Sequence, residues 1–384
     1  MNQNTPELRM QTAAALESAR SRLSELQAFL GLDGFVDEIL HVVDKRYSAD
    51  RYERTPTIAR LAERLAAAAG KSTNLELVTQ LTKLGGNGPI MGNALARLGL
   101  RVTYVGNLGY PSLHPVFEEF ARRAEVHSIA PPGLTDALEF EDGKVMLGKH
   151  SSLKEVTWEN IVQRYGRDRF AAKFAAADLV AFVNWTMLPY MSDIWAAVLR
   201  EICPQLPTTG PRRTLFFDLA DPEKRTSEDI RRALDLILEF RRYFNVILGL
   251  NEKEAYEIAR VFGLERGDGS RGAVAALARE IHQRVPVHTL VVHPVAYALC
   301  VTEGRLSVVD GLYTTQPRLM TGAGDHFNSG FCLGKLLGFS DEQALLTGVT
   351  TSGYYVIKAQ SPHVDDLVRA LRHWPRGTTG PYDF

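Results

Sequence analysis

Two hydrophobic periods divide the chain. Near the N-terminus, Leu8, Ala15, Leu16, Ala19, Leu23 and Leu26 recur at helical spacing, so residues 7–28 read as an amphipathic helix. The apolar pair Phe29-Leu30 then reads as a strand. Residues 37–43 follow as a second strand and 57–69 as an alanine-rich helix, with a connecting segment that runs to Lys83. A strand at 102–106 precedes a helix at 114–124. Residues 137–147 alternate around Asp142-Gly143, the composition of a hairpin turn. Beyond residue 158, helical patterns alternate with strand-like runs at 179–183, 214–218, 246–250 and 290–293. Repeated strand–helix units imply a parallel sheet covered on both faces, with right-handed crossovers. The fold class is α/β.

The candidate chemistry lies where small residues interrupt this pattern. Gly322-Ala323-Gly324 precede one carboxylate, Asp325. Phe327, Phe331, Leu333, Leu336 and Leu337 then mark one side of a helix. The small residues therefore fall at a helix N-terminus, where unpaired N–H groups and the macrodipole attract anions, phosphate above all. A carboxylate beside such a site can take the proton of a hydroxyl as it attacks phosphorus. Alone, the run also reads as a glycine-rich turn with an ordinary helix-start acid.

Two further segments shift the balance toward chemistry. Gly85-Gly86-Asn87-Gly88 opens a helical pattern that Leu98-Gly99 closes. Asp33 and Asp37 lie just beyond the Phe29-Leu30 strand. An acid at the C-terminal end of a strand in an α/β protein points into the ligand crevice.

In order and separation these three segments, with Asn251-Glu252-Lys253-Glu254 as a fourth, resemble the ribokinase-like (PfkB) carbohydrate kinase family. The resemblance runs from about residue 29 to residue 361. It implies a three-layer α/β/α core with a mostly parallel sheet and a small β lid, one kinase domain over residues 1–384. The lid elements fall at about 36–44 and 135–150, and residues 1–27 form a helical extension. The long stretch between Asp37 and Gly85 either enlarges the lid or adds a contact between copies, a homodimer through the lid. The implied activity is ATP-dependent phosphorylation of a hydroxyl on a sugar or sugar-like molecule. Asp325 is the general base, and Gly322, Ala323 and Gly324 form the anion hole.

The same resemblance distributes the binding roles. Asp37 is the main sugar-binding acid and Asp33 its rival; Gly85, Gly86 and Asn87 form the other side of the sugar. Asn251 and Glu254 lie near the nucleotide phosphates, where Glu254 helps organise Mg²⁺ through water. Those two residues also have the spacing of a capping box, and both readings can hold together. Arg225 reaches phosphate or simply starts a surface helix. Asn328, in the Phe-Asn-x-Gly element, belongs to the nucleotide side. Lys149 and Asn184-Trp185-Thr186 follow strands and are pocket candidates. His293 is a buried, hydrogen-bonded histidine or an adenine contact. Leu319-Met320 stand where relatives carry Asp-Thr, which puts monovalent-cation activation in doubt, and Ile90 replaces a frequent Asn.

Bulk properties exclude several classes. Net charge is −1, from 44 basic and 45 acidic residues, so no strong field draws nucleic acid or an anionic membrane. Cys203, Cys300 and Cys332 are too far apart for metal-ligand spacing and read as buried thiols. No run approaches the length of a membrane span, and a cytoplasmic location is expected. A nucleoside kinase and a non-catalytic sugar- or nucleotide-binding regulator are the alternatives on the same scaffold. A dinucleotide-dependent oxidoreductase fits less well, because Gly85–Gly88 lacks the Gly-x-Gly-x-x-Gly spacing.

Overall fold

Strand pairing gives the clearest view of the chain in a computed structural model, which describes residues 3–207, 210–375, 377–379, 382 and 384. The strands, in chain order, begin with β1 (Gln27–Gly31), β2 (Phe35–Arg46), β3 (Tyr52–Arg54), β4 (Leu77–Gly85) and β5 (Arg101–Gly106). Next come β6 (Glu125–Ser128), β7 (Gly133–Glu139), β8 (Lys144–Lys149), β9 (Leu179–Phe182) and β10 (Thr214–Asp218). The last are β11 (Asn245–Leu250), β12 (Thr289–Val292), β13 (Tyr297–Thr302) and β14 (Arg305–Asp310). Nine form one sheet in the order β14-β13-β12-β11-β10-β9-β1-β5-β6. It is parallel from β6 to β12 and antiparallel at the β13–β14 edge.

Side-chain alternation builds a core on each face of this sheet. Phe29, Phe182, Phe217 and Leu248 point to one side, where Trp195, Phe240 and Phe174 cover them. Their neighbours Leu30, Ala181, Phe216 and Ile247 point to the other and meet Phe327, Phe331 and Leu346. Each fully buried Phe or Leu contributes about 1.5–3 kcal/mol. Burial on both faces is why these strands read as continuous apolar runs.

Parallel register carries four chain segments to one sheet edge. Gly31 pairs with Phe182, Phe182 with Phe217, and Asp218 with Gly249. The residues just past these ends are Asp33, Asn184, Ala220 and Asn251. That edge is the expected ligand crevice.

The second sheet is the lid, with order β3-β2-β7-β8 and β4 paired to β2. Of its strands, β2, β7 and β8 lie at the predicted 36–44 and 135–150 elements, whereas β3 and β4 fall outside both. The insertion before Gly85 contributes β3, the helix Ile58–Ala67 and β4. Leu61 of that helix packs against Leu40, Val42, Leu138 and Phe140, so the insertion enlarges the lid.

Several boundaries differ from the sequence reading. The 7–28 helix ends at Ala19, and a 3₁₀ stretch, Arg20–Glu25, leads into β1; residues 1 and 2 of the predicted extension lie outside the described residues. In place of a 114–124 helix there is a 3₁₀ turn, Pro115–Phe117, and a short helix, Glu118–Ala121. The β13–β14 hairpin was missed, although its turn residues Glu303 and Gly304 both have the positive φ of a tight two-residue loop.

Candidate active site

Asp33 and Asp37 divide the work at the end of β1. Asp33 is fully buried and accepts hydrogen bonds from Gly88 N (2.9 Å) and Asn184 Nδ2 (2.8 Å). Burial lifts its pKa to about 6 against those bonds. Both its oxygens serve the protein, so it fixes the glycine loop. Asp37, on β2, pairs across the sheet with Lys83 and Thr135 and faces a cavity of about 440 Å³. Asn87, Thr135, His150, Asn184 and Lys224 also line that cavity.

These two acids explain the glycines opposite them. A side chain at Gly85 would fall on the Asp37 carboxylate. At Gly86 it would meet Asp33 Oδ2 on a backbone already at φ +94. Asn87 then begins the helix Asn87–Arg97 and donates from Nδ2 to Asp325 Oδ1 at 3.0 Å.

Asp325 lies in the first turn of the helix Ala323–Leu336, with Gly322 as a left-handed cap at φ +94. Ala323 N–H is already bound to Met320 O at 3.0 Å, which corrects its place among the anion-hole donors. Gly324 and Asp325 supply the first-turn N–H groups that the helix itself leaves unmatched. Burial pushes the Asp325 pKa up to about 8, the Asn87 bond opposes that rise, and the charges of Asp33 and Glu254 add to it.

A second cavity, of about 490 Å³, adjoins the first. Gly324, His293, Thr314, Met320 and Ser352 line it. Asn251 borders both cavities. It caps the helix Glu252–Val261: Glu254 N donates to Asn251 Oδ1 (2.9 Å), and Asn251 N donates to Glu254 Oε2 (2.8 Å). The other Glu254 oxygen accepts from Asp221 N (3.0 Å). Asparagine and acid at this spacing thus form a capping box that also places a polar residue between two pockets.

A family model for prokaryotic ketohexokinase matches residues 7–374. The chain belongs to the prokaryotic ketohexokinase family. A ketohexokinase of Haloferax volcanii is 31% identical over 362 residues, covering 93% of this chain and 94% of that protein. Among solved structures, Arabidopsis thaliana ribokinase complexed with ribose and ATP aligns with TM-score 0.62 and 16% identity, over 90% of this chain and 98% of that one. Cryptococcus neoformans ribokinase with ADP aligns with TM-score 0.60 and 17% identity, over 90% and 98%. These two likenesses show the ribokinase-like fold. The protein is a carbohydrate kinase.

Of the other predicted residues of the kinase, Arg225, Asn328 and Lys149 lie away from both cavities. Arg225 donates to Thr186 O (3.0 Å) and Leu188 O (2.8 Å) and stacks over the Trp185 ring at 4.9 Å. Its cation pins the loop after β9 and faces neither cavity, so the phosphate role expected for it is corrected. Asn328 is buried and donates from Nδ2 to Asp218 Oδ2 at 2.8 Å, behind the site. Lys149 is exposed and paired to Asp136. His293 lines the second cavity and packs on Phe327, with ring centroids 4.7 Å apart.

Asp218 was missed in the sequence. It ends β10, is buried, and is held above the ordinary carboxylate range by burial and by Asp325. Glu254 is held up likewise, by burial and by Asp218. Asp218 carries the same signal that singled out Asp33, an acid at a strand's C-terminal end. The result is a group of buried carboxylates whose mutual repulsion a cation would relieve. Among the described residues, no three His, Cys, Asp or Glu side chains are arranged to hold a metal directly. The acids suit a hard cation that keeps its water shell, as Mg²⁺ does. No helix among the described residues is long and apolar enough to cross a membrane.

Proposed function

We propose that this kinase transfers the γ-phosphoryl group of ATP to a hydroxyl of a ketohexose, with Asp325 as general base. The observation that carries the proposal is the position of Asp325. It sits at a helix N-terminus, bonded to Asn87 of the Asp37 cavity, one residue beyond Gly324 of the adjoining cavity. The sugar occupies the first cavity and the nucleotide the second, with their reacting ends meeting at Asn251. Ketohexose is chosen from family membership and from the Haloferax volcanii relative.

Phosphoryl transfer asks the protein for alignment and charge stabilisation more than for covalent chemistry. Asp37 accepts hydrogen bonds from sugar hydroxyls and orients the acceptor. Asp325 takes the hydroxyl proton as the oxygen closes on phosphorus. The N–H groups of Gly324 and Asp325, at the positive end of their helix, face the charge that grows on the migrating group. Asp218 and Glu254 would hold Mg²⁺ through water, and that ion would neutralise phosphate charge. Leu319 and Met320 offer no carboxylate, so the reading includes no monovalent cation. Lid closure excludes water that would otherwise hydrolyse ATP.

A homodimer through the lid is part of the same proposal. Leu81, Ile39, Ala137 and Met146 stand in register across four lid strands, on the face that carries Asp37. Leu81 is 55% and Met146 51% exposed at the two ends of that row.

The test is release of ADP by purified protein with MgATP and, in parallel, fructose, ribose, adenosine and inosine. Turnover with fructose above the others is expected. Preference for adenosine or inosine would replace the reading with a nucleoside kinase. Folded protein inactive on the whole panel would favour a binding regulator.

A further inference from the structure

His326 follows Asp325 on the helix, and its ring is buried. The ring stacks on Tyr355 with centroids 3.6 Å apart and planes at 15°. Nδ1 lies 2.7 Å from Gly322 O, and Nε2 lies 2.8 Å from Ser361 Oγ. A carbonyl oxygen only accepts, so Nδ1 carries the hydrogen. Burial lowers the pKa to about 4, so the imidazole is neutral near pH 7 and its Nε2 accepts from the Ser361 hydroxyl. The partners thereby fix one tautomer.

Gly322 O also accepts from His326 N at 3.1 Å, which occupies both lone pairs of that carbonyl. Tyr355 donates its hydroxyl to the preceding carbonyl, Thr321 O, at 2.9 Å. Two successive peptides of the left-handed turn are therefore clamped by a stacked pair of side chains. Ser361 is itself anchored, because Arg97 Nε donates to its carbonyl at 3.3 Å. The clamp runs from the end of the helix Asn87–Arg97, through Ser361 and the imidazole, to the turn that presents Gly324 and Asp325. An ordinary helix start needs no such brace; most use one short side-chain cap, which is missing here.

We infer that His326 is a positioning residue, bridging Gly322 O to Ser361 Oγ so that the first-turn N–H groups stay aimed at the transferring phosphoryl. The inference rests on the proposed role of that turn. Freedom at Gly322 would swing the donors and the Asp325 carboxyl out of line, and small misplacements of reacting groups are expensive in rate.

Substitutions can separate the two bonds. In His326→Asn the amide reaches Gly322 O from the Nδ1 position but not Ser361. In His326→Gln it reaches Ser361 from the Nε2 position but leaves Gly322 O without the side-chain donor. With fructose and MgATP, His326→Gln should lower kcat about 30-fold and leave both KM values within about twofold, whereas His326→Asn should keep kcat within about fivefold of the parent. Ser361→Ala, on a partly exposed loop, should lower kcat about threefold with KM unchanged. Folded His326→Gln with parental kcat overturns the inference, as does a loss of melting temperature with no change in kcat. If His326→Gln does not fold, parental kcat in Ser361→Ala overturns it. Asp325→Asn is measured alongside: if that variant keeps its turnover, the reading of the turn itself fails. If it is inactive while His326→Gln is normal, only the positioning role fails.

Discussion

Asn87 Nδ2 donates to Asp325 Oδ1 at 3.0 Å, joining segments 238 residues apart in the chain. One residue opens the glycine-loop helix and the other the helix of the phosphate turn. The bond ties the proposed base to Asn87 of the Asp37 cavity, and it opposes the burial that raises the base's pKa.

The pH dependence of catalysis follows from that balance. Asp325 acts when deprotonated and its pKa is raised to about 8, so kcat/KM for the sugar should climb with pH and level off above about 8. Asn87→Leu removes a bond made to the charged form, so the rising limb should move to higher pH. A pH–rate series on both proteins checks this. An unmoved limb in Asn87→Leu would separate the limb from Asp325.

Replacing the base should trade turnover for stability. Asp325→Asn should lower kcat about 10³-fold, within the usual worth of general-base catalysis. The sign of the stability effect comes from proton linkage. The folded protein holds a proton on Asp325 up to pH about 8, whereas the unfolded chain releases it near the ordinary value of 3.8. The group's contribution is thus fully present below that lower value and is lost as pH rises through about 8. An amide has no proton to lose. The variant's melting temperature should therefore match the parent's at about pH 4, exceed it increasingly up to about pH 8, and hold a constant lead above that. Scanning fluorimetry of the ligand-free proteins across that range is the measurement, and a gap that closes with rising pH contradicts it.

Arg225 makes the opposite kind of prediction. Its guanidinium binds carbonyl oxygens of Thr186 and Leu188 and covers Trp185, so its loss should be felt in stability. Arg225→Ala should destabilise by about 2–3 kcal/mol, the scale of hydrogen bonds from a charged donor. KM for ATP in the folded fraction should stay at the parental value. Urea titration and initial-rate kinetics on one preparation give both quantities, and a selective rise in the ATP KM would return Arg225 to the phosphate.

What the sequence disclosed, and what it withheld, follows from how local each signal is. The turn Gly322–Asp325 was legible because small residues, an acid and an amphipathic helix are contiguous. The strands β9 to β12 were legible because burial on both faces leaves an uninterrupted apolar run. By contrast β4 has open positions along most of its length, so Leu77, Gln80 and Leu81 show no clean alternation. The partners of Arg225 and Asn328 were not legible locally, because Thr186 and Asp218 are 39 and 110 residues away. A lone Asp218 has no local signature; its weight comes from Asp325, Asn328 and Glu254 converging on it in space.

The lid row yields the last prediction. Leu81 pairs with Ile39, Ile39 with Ala137 and Ala137 with Met146, so an apolar band crosses the sheet with large side chains exposed at its ends. Two copies meeting face to face would bury both ends, which isolated exposed residues on a monomer do not need. Static light scattering of the full chain should give twice the protomer mass, and the double variant Leu81→Lys, Met146→Lys should give the protomer mass with an unchanged melting profile below the main transition. Met146 also lines the Asp37 cavity, so the double variant should raise the KM for sugar whatever the state of assembly, and only the mass decides the lid contact. A monomeric parent protein would remove the lid contact from the proposal without touching Asp325, since none of the residues bonded to that carboxylate lies in the band.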